Sequence, residues 1–343
     1  MKGKTTRRNF LATSAALAMA PMASTLSSLA APVPSPTANA ENKMIWGLLL
    51  HLGQKMWGDS PNAYTPPIDH MTWKDSFWVE VTEKMASAGL NMVVIDIGEA
   101  IQYESHPEIA TKGAWSIEKF RKDLDRMRKL GLEPIPKLNF SACHDLWLGE
   151  YARMVSTPKY YEVCADLIKE VVEIFDHPRF FHLGYDEETF WHQETFDYIV
   201  IRQGDLWKND FLFFIDQCEK NQVRPWIWAD YYWHHKDFFN WAPKSIVMSN
   251  WYYDAEFDLE KLGESEANYV QTFLDLDKAG FDQIPTGSNW SCDVNFGNLV
   301  DFCKANLSKE RLLGYLQTNW HFEHVDPDQH ILNSIKLEQD AMY

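Results

Sequence analysis

Beyond its first 44 residues the sequence predicts a (β/α)8 TIM barrel forming one catalytic domain, and three observations lead there. Eight short strand-like runs recur between residues 45 and 318, each followed by a segment of helical periodicity. Helix-like segments close on glycines or turn signals, and the next apolar run follows within a few residues. No Gly-rich dinucleotide or phosphate-loop motif follows any strand, which removes the usual signature of a doubly wound open sheet, the alternative that the same alternation allows.

The elements follow in order. An apolar strand at 45–52 leads through a polar, Pro-containing loop at 53–72 to a helix at 75–88, closed by Gly89. The second strand is 91–97. The second helix, 116–130, has Ser116 as its N-cap and Gly131 as its stop. Strand three is 132–139. Helix 158–175 starts at Pro158, a residue suited to a first helical turn, and strand four is 179–185. Helix 203–221, strand 224–230, a short helical segment at 236–241 and strand 245–251 continue the pattern. A helix at 258–262 then precedes a strand at 269–274, although residues 280–285 could supply that strand instead. Helix 295–306, strand 312–318 and helix 328–341 complete the set.

Residues 1–40 form a separate domain of another kind. Thr5-Thr6-Arg7-Arg8-Asn9-Phe10-Leu11 is a twin-arginine motif, an Ala/Leu/Met-rich run follows, and Ala38-Asn39-Ala40 matches an A-x-A cleavage site. The expectation is a signal peptide at 1–40, export to the periplasm, and a barrel domain at 41–343. Removing Lys2, Lys4, Arg7 and Arg8 would take the formal net charge from −17 to −21, which disfavours nucleic acid as a partner. No later stretch is apolar enough for a membrane span. Five scattered cysteines with no C-x-x-C spacing describe neither a disulfide framework nor a structural zinc site.

The stretch from Arg179 to Trp191 holds the most chemistry. As a buried strand it would place His182, Gly184 and Asp186 on one face. Asp186 and Glu187 can serve one site only if the strand ends there and the chain turns. Paired carboxylates at a barrel rim suit glycosidic bond cleavage. The other predicted strand ends add Asp96, Asn139, His144, Trp228, Asp230, Trp251, Tyr253, Trp290, Trp320 and Glu323. The 15 tryptophans gain meaning from this placement, since indoles can stack on sugar faces as well as fill a core. A neighbouring carboxylate and indole walls should raise the pKa of Glu187.

These residues carry a resemblance. His182-Leu183-Gly184-Tyr185-Asp186-Glu187 is similar to the H-x-G-x-D-E signature of glycoside hydrolase family 20, the β-N-acetylhexosaminidases. The stretch from Tyr103 to Ala114, Pro134 to His144, Trp228-Ala229-Asp230, Trp251, and Gly314 to Trp320 resemble further parts of the family, over roughly residues 90–320. The resemblance implies a retaining exo-β-N-acetylhexosaminidase that needs no cofactor and acts on an oligosaccharide or glycoconjugate. Glu187 would be the general acid and then the base. Asp186 would orient the substrate's own 2-acetamido group, whose oxygen attacks the anomeric carbon. Trp251 and Trp320 would wall the sugar pocket, and Asp230 would bond a sugar hydroxyl or support the acid. His144, His182 and Asn139 would orient these groups.

Two departures stand out. Strand one has no arginine to grip sugar hydroxyls, and strand seven has no clear tyrosine for the acetamido oxygen; Trp290 stands near that position. A diverged glycosidase acting on a non-acetylated sugar and a non-catalytic carbohydrate-binding barrel therefore remain as alternatives. A metal-dependent hydrolase would want an H-x-H pair on strand one or helical His/carboxylate spacing, and none of the 12 histidines supplies it, so no metal is expected.

Overall fold

The computed structural model describes residues 43–59, 68–320 and 326–343, so the signal peptide expected at 1–40 lies outside the described residues. Nine strands form one parallel sheet: β1 (Ile45–His51), β2 (Met92–Asp96), β3 (Glu133–Lys137), β4 (Phe180–His182), β5 (Arg224–Trp228), β6 (Val247–Ser249), β7 (Asp282–Gln283), β8 (Thr286–Ser288) and β9 (Gly314–Thr318). Their order is β7-β6-β5-β4-β3-β2-β1-β9-β8. β7 and β8 occupy one barrel position, interrupted at Ile284-Pro285, because proline cannot donate to the ladder. On one side Ile284 N donates to Met248 O at 3.0 Å and Thr286 N to Asn250 O at 2.9 Å. On the other, Leu313 N donates to Gln283 O at 2.9 Å and Leu316 N to Pro285 O at 3.0 Å. The sheet closes through this segment into a (β/α)8 barrel.

Around it lie α1 (Asp75–Ala88), α2 (Ile117–Lys129), α3 (Pro158–Ile174), α4 (Phe190–Gln193), α5 (Gly204–Lys220), α6 (Tyr231–His234), α7 (Glu264–Lys278), α8 (Asn295–Asn306) and α9 (Pro327–Ala341). Ser116 caps α2 by accepting from Lys119 N at 3.2 Å, and Thr157 caps α3 by accepting from Tyr160 N at 3.3 Å. The expected strand at 269–274 is instead the interior of α7. Val270, Phe273 and Leu276 recur at helical spacing on its buried face, with Glu264 and Glu266 in the first turn, so helical periodicity wins over β-branched and aromatic content. The expected helix at 258–262 is a series of turns, and 236–241 is a 3₁₀ segment, Lys236–Asn240.

The sheet is buried on both faces, as a parallel barrel requires. Ile45, Leu49, Val94, Ile135, Trp226 and Leu316 pack inside the barrel, while Leu48, Leu50, Val93, Ile95 and Phe181 face the helices. Full burial of each such aliphatic side chain contributes about 1.5–3 kcal/mol. One charge sits among them: Lys137 is fully buried and ion-paired with Asp96. Cys143, Cys164, Cys218 and Cys303 are buried thiols, and Cys292 is half-buried. No helix among the described residues is long and apolar enough to cross a membrane.

Candidate active site

β4 ends at His182, three residues before the expected boundary, and the chain that leaves it is irregular. Gly184, Tyr185 and Glu187 take φ values of 71°, 74° and 56°, all in the left-handed region. Successive side chains therefore stop alternating, and the neighbours Asp186 and Glu187 both line one cavity. Gly184 is required by sterics: a Cβ there would sit 2.1 Å from Asn139 Oδ1. Tyr185 has no such excuse, and its backbone strain of about 1–3 kcal/mol is offset by packing of its ring among Trp207, Phe211 and Phe214.

The turn is held from beneath. Asn139 Nδ2 donates to Asp186 Oδ1 at 2.8 Å, while Asn139 Oδ1 accepts from Ser141 N at 3.0 Å and Tyr185 N at 3.3 Å. Ser141 Oγ donates to Asp186 O at 2.5 Å. The following Glu188 faces away from the cavity. It accepts from Arg202 Nε at 2.7 Å and Arg202 Nη2 at 2.6 Å, a bidentate pair with both partners buried. Arg202 also donates to Asp210 Oδ2 at 3.1 Å and Phe140 O at 3.0 Å, tying the strand-four turn to the strand-three loop and to α5.

Glu187 is about one-third exposed and meets two imidazoles: His144 Nε2 at 3.2 Å and His192 Nε2 at 3.3 Å from its Oε2. His144 Nε2 also lies 3.6 Å from Asp186 Oδ2. The expected rise in the pKa of Glu187 is not found. Burial does push it up, but the His144 hydrogen bond and the charges of His192 and His144 outweigh that and hold it below the usual glutamate value. Burial would likewise depress His144, yet Cys143, Asp186 and Glu187 hold its pKa well above the usual histidine value. The carboxyl beneath Glu187 is raised: Asp230 is pushed up to about 8 by burial and by the nearby charge of Asp186. Asp230 Oδ2 accepts the Glu187 backbone N–H at 2.8 Å, and Trp251 Nε1 approaches its Oδ1 at 3.4 Å.

The cavity above these acids has a volume of about 450 Å³. His144, Trp228, Trp251, Tyr253, Trp290 and Trp320 line it with the two acids, and His51, Gln54, Trp57, Trp73 and Phe77 extend it across the β1 side. Trp251 and Tyr253 stack with ring centroids 5.1 Å apart, and Trp320 Nε1 donates to Tyr253 Oη at 3.0 Å. His51 packs between Trp57 and Trp320 at 5.0 and 4.8 Å.

Two sequence-based placements need correction. Asp96 does not reach the cavity: it is 2% exposed, bound to Lys137, with His51 Nδ1 3.4 Å from its Oδ2. Burial opposes its ionisation, but Lys137 and His51 prevail and hold its pKa at about 2. Asp230 is also buried off the cavity lining, so of its two expected roles the bond to a sugar hydroxyl falls away, while its support of the acid stands in the bond from the Glu187 backbone. His182 sits below the floor as a neutral ring, its pKa driven well down by burial and Lys137. Its Nδ1 accepts from Gly184 N at 3.0 Å, against Trp226 and Trp228. Glu323 lies outside the described residues. Trp191 is 76% exposed on α4 and does not line the cavity. Sequence reasoning missed His192, Glu188 and Arg202. Only Glu188 had a signal, as the third acid in a row.

A scan against protein-family models finds no match, and a search of curated proteins finds no similar sequence. Solved structures do match in fold. The chain is similar to a GH20 exo-β-N-acetylglucosaminidase from Vibrio harveyi, in complex with N-acetylglucosamine, with a TM-score of 0.58 at 13% identity over 88% of this chain and 54% of that one. It is similar to a GH20 β-N-acetylhexosaminidase from Streptomyces coelicolor A3(2), with a TM-score of 0.57 at 14% identity, covering 87% and 64%. A Flavobacterium johnsoniae chitobiase gives 0.53 at 15% identity, covering 87% and 51%. The chain thus spans roughly half to two-thirds of the length of these enzymes, and the likeness is one of barrel fold.

Proposed function

We propose that this barrel is a retaining glycoside hydrolase acting on β-N-acetylhexosaminides, with the substrate's 2-acetamido oxygen as nucleophile. The observation that carries this reading is the shared orientation of two consecutive acids toward one aromatic cavity, with one oxygen of Asp186 held by Asn139. Two consecutive acids on one turn reach the cavity from the same strand end, whereas an enzyme nucleophile requires a carboxylate that faces the acid across the scissile bond. Substrate assistance removes that need. Asp186 orients and polarises the acetamido N–H while the sugar stacks on Trp251 and Trp320.

Glu187 delivers the proton to the leaving oxygen. Its carboxylate is hydrogen-bonded to His144 Nε2 at 3.2 Å, and this pair shares the proton that is delivered. Approach of the glycosidic oxygen draws it onto Glu187 and across, and the same pair then takes a proton from water. Asp230 fixes the Glu187 backbone rather than a sugar hydroxyl. The twin-arginine leader supports action outside the cytoplasm, on an oligosaccharide or glycoconjugate.

The test is release of nitrophenol from aryl N-acetylglucosaminide or N-acetylgalactosaminide, abolished in Glu187→Gln, with tight binding of an N-acetylglucosamine thiazoline. Turnover of plain hexosides with silence on every 2-acetamido sugar would move the assignment to a diverged glycosidase. Sugar binding without turnover would make the protein a lectin-like barrel.

A further inference from the structure

The contacts around Glu187 have the spacing of a coordination shell as well as of a hydrogen-bond network. Ligand atoms of His144, Asp186 and Glu187 all lie within 4.8 Å of one another. The individual separations are 3.2 Å for His144 Nε2 to Glu187 Oε2 and 3.6 Å for His144 Nε2 to Asp186 Oδ2. Ligands about 2.0–2.1 Å from a tetrahedral zinc ion are about 3.3 Å apart, close to these values. A second imidazole, His192 Nε2, stands 3.3 Å from the same Glu187 oxygen. The three grouped donors come from two separate stretches, the loop after β3 and the turn after β4. Their convergence is therefore tertiary and invisible to spacing rules on the sequence.

We infer that His144, Asp186 and Glu187 form a binding site for a divalent transition-metal ion, Zn²⁺ above all, with solvent completing the shell. Nitrogen donors favour zinc over magnesium or calcium, which take oxygen ligands. Two carboxylates balance the ion's charge. The site lies at the cavity wall, so the metal reaches it by the route a substrate would take. A metal ion there occupies the lone pairs of Glu187 and His144 and displaces the proton they share. Its further consequence, reversible inhibition of glycoside cleavage by zinc, rests on the hydrolase reading above; the binding itself does not.

Calorimetric titration of the full chain with ZnCl₂, and with MgCl₂ in parallel, tests the site. The expected result is one zinc per chain, no magnesium binding, and at least a tenfold loss of zinc affinity in His144→Ala. Co²⁺ substituted into the site should give visible absorption bands of a four-coordinate ion, absent in His144→Ala. Circular dichroism checks that the variant is folded. His234 is an exposed histidine on α6, and His234→Ala should bind zinc as the unaltered protein does. Absence of zinc binding, binding unchanged in His144→Ala, or binding lost in His234→Ala would each overturn the assignment. Zinc binding by a protein that cleaves no glycoside leaves the metal site standing and removes the hydrolase; cleavage indifferent to zinc at saturating occupancy removes only the inhibition.

Discussion

On the β3–β4 side of the barrel mouth, side chains are positioned by hydrogen bonds and ion pairs that are almost all buried. Asp186 is bonded through both its side chain and its carbonyl, Glu187 through its backbone N–H and its carboxylate, and Glu188 through a bidentate arginine. Across the mouth, on the β6, β9 and β1 side, Trp251, Tyr253, Trp320, His51 and Trp57 are positioned mainly by ring contacts. The first arrangement fixes direction, because a hydrogen bond weakens steeply when bent. The second fixes shape, because ring packing tolerates small shifts. Reacting groups belong to the first side and recognition to the second.

That division can be broken by mutation. The largest effect is expected from Glu187→Gln, which should lower kcat/KM by about 10²–10⁴-fold in the aryl glycoside assay while leaving thermal unfolding unchanged. Arg202→Met should cost about 3–5 kcal/mol in denaturant unfolding, because it leaves Glu188 and Asp210 buried without their partner. A loss below about 1 kcal/mol would show that the directional side does not depend on this clamp. Acid should act there too. The folded-state pKa of Asp96, about 2, lies below its unfolded value, so its stabilising contribution is complete above the unfolded pKa. About 2 kcal/mol should then disappear as pH falls from about 4 to about 2, and Asp96→Asn should flatten that part of the stability curve. Trp320→Ala, on the shape side, should raise KM roughly tenfold, about 1.4 kcal/mol, with little change in kcat. The smallest effect concerns the alkaline limb of the activity profile. A general acid loses activity as pH rises through its pKa, and His192 helps to hold that of Glu187 down. In His192→Gln the limb should therefore move to higher pH; an unmoved limb would separate Glu187 from the proton that matters.

The barrel was legible because each strand and helix carries its own signal: apolar runs, the Ser116 cap, the glycines after α1 and α2. α7 was not, since Tyr269, Val270 and Phe273 suit a strand in composition and only the wider spacing from Glu264 to Leu276 makes them one face of a helix. At the site, alternation along β4 correctly demanded a turn for Asp186 and Glu187, but no rule predicts a left-handed Tyr185. Asp96 and Asp230 were placed in the mouth because strand-end acids on their own look alike. Burial separates them, and nothing in the sequence marks Lys137, inside strand three, as the cation that pairs with Asp96. Arg202 and His192 were hidden for a different reason: their partners are reached by folding of a loop, not by any period.

The Glu188–Arg202 pair also sets what can change in this molecule. It clasps two ends that lie 14 positions apart in sequence, and the span between them includes α4 and the exposed Phe190, Trp191, Tyr198 and Ile199. With its ends pinned, that span can be exchanged or re-lengthened as a cassette while Asp186 and Glu187 stay in register. His192 travels with the cassette, so a graft of this kind would retune the proton on Glu187 without touching the acid itself.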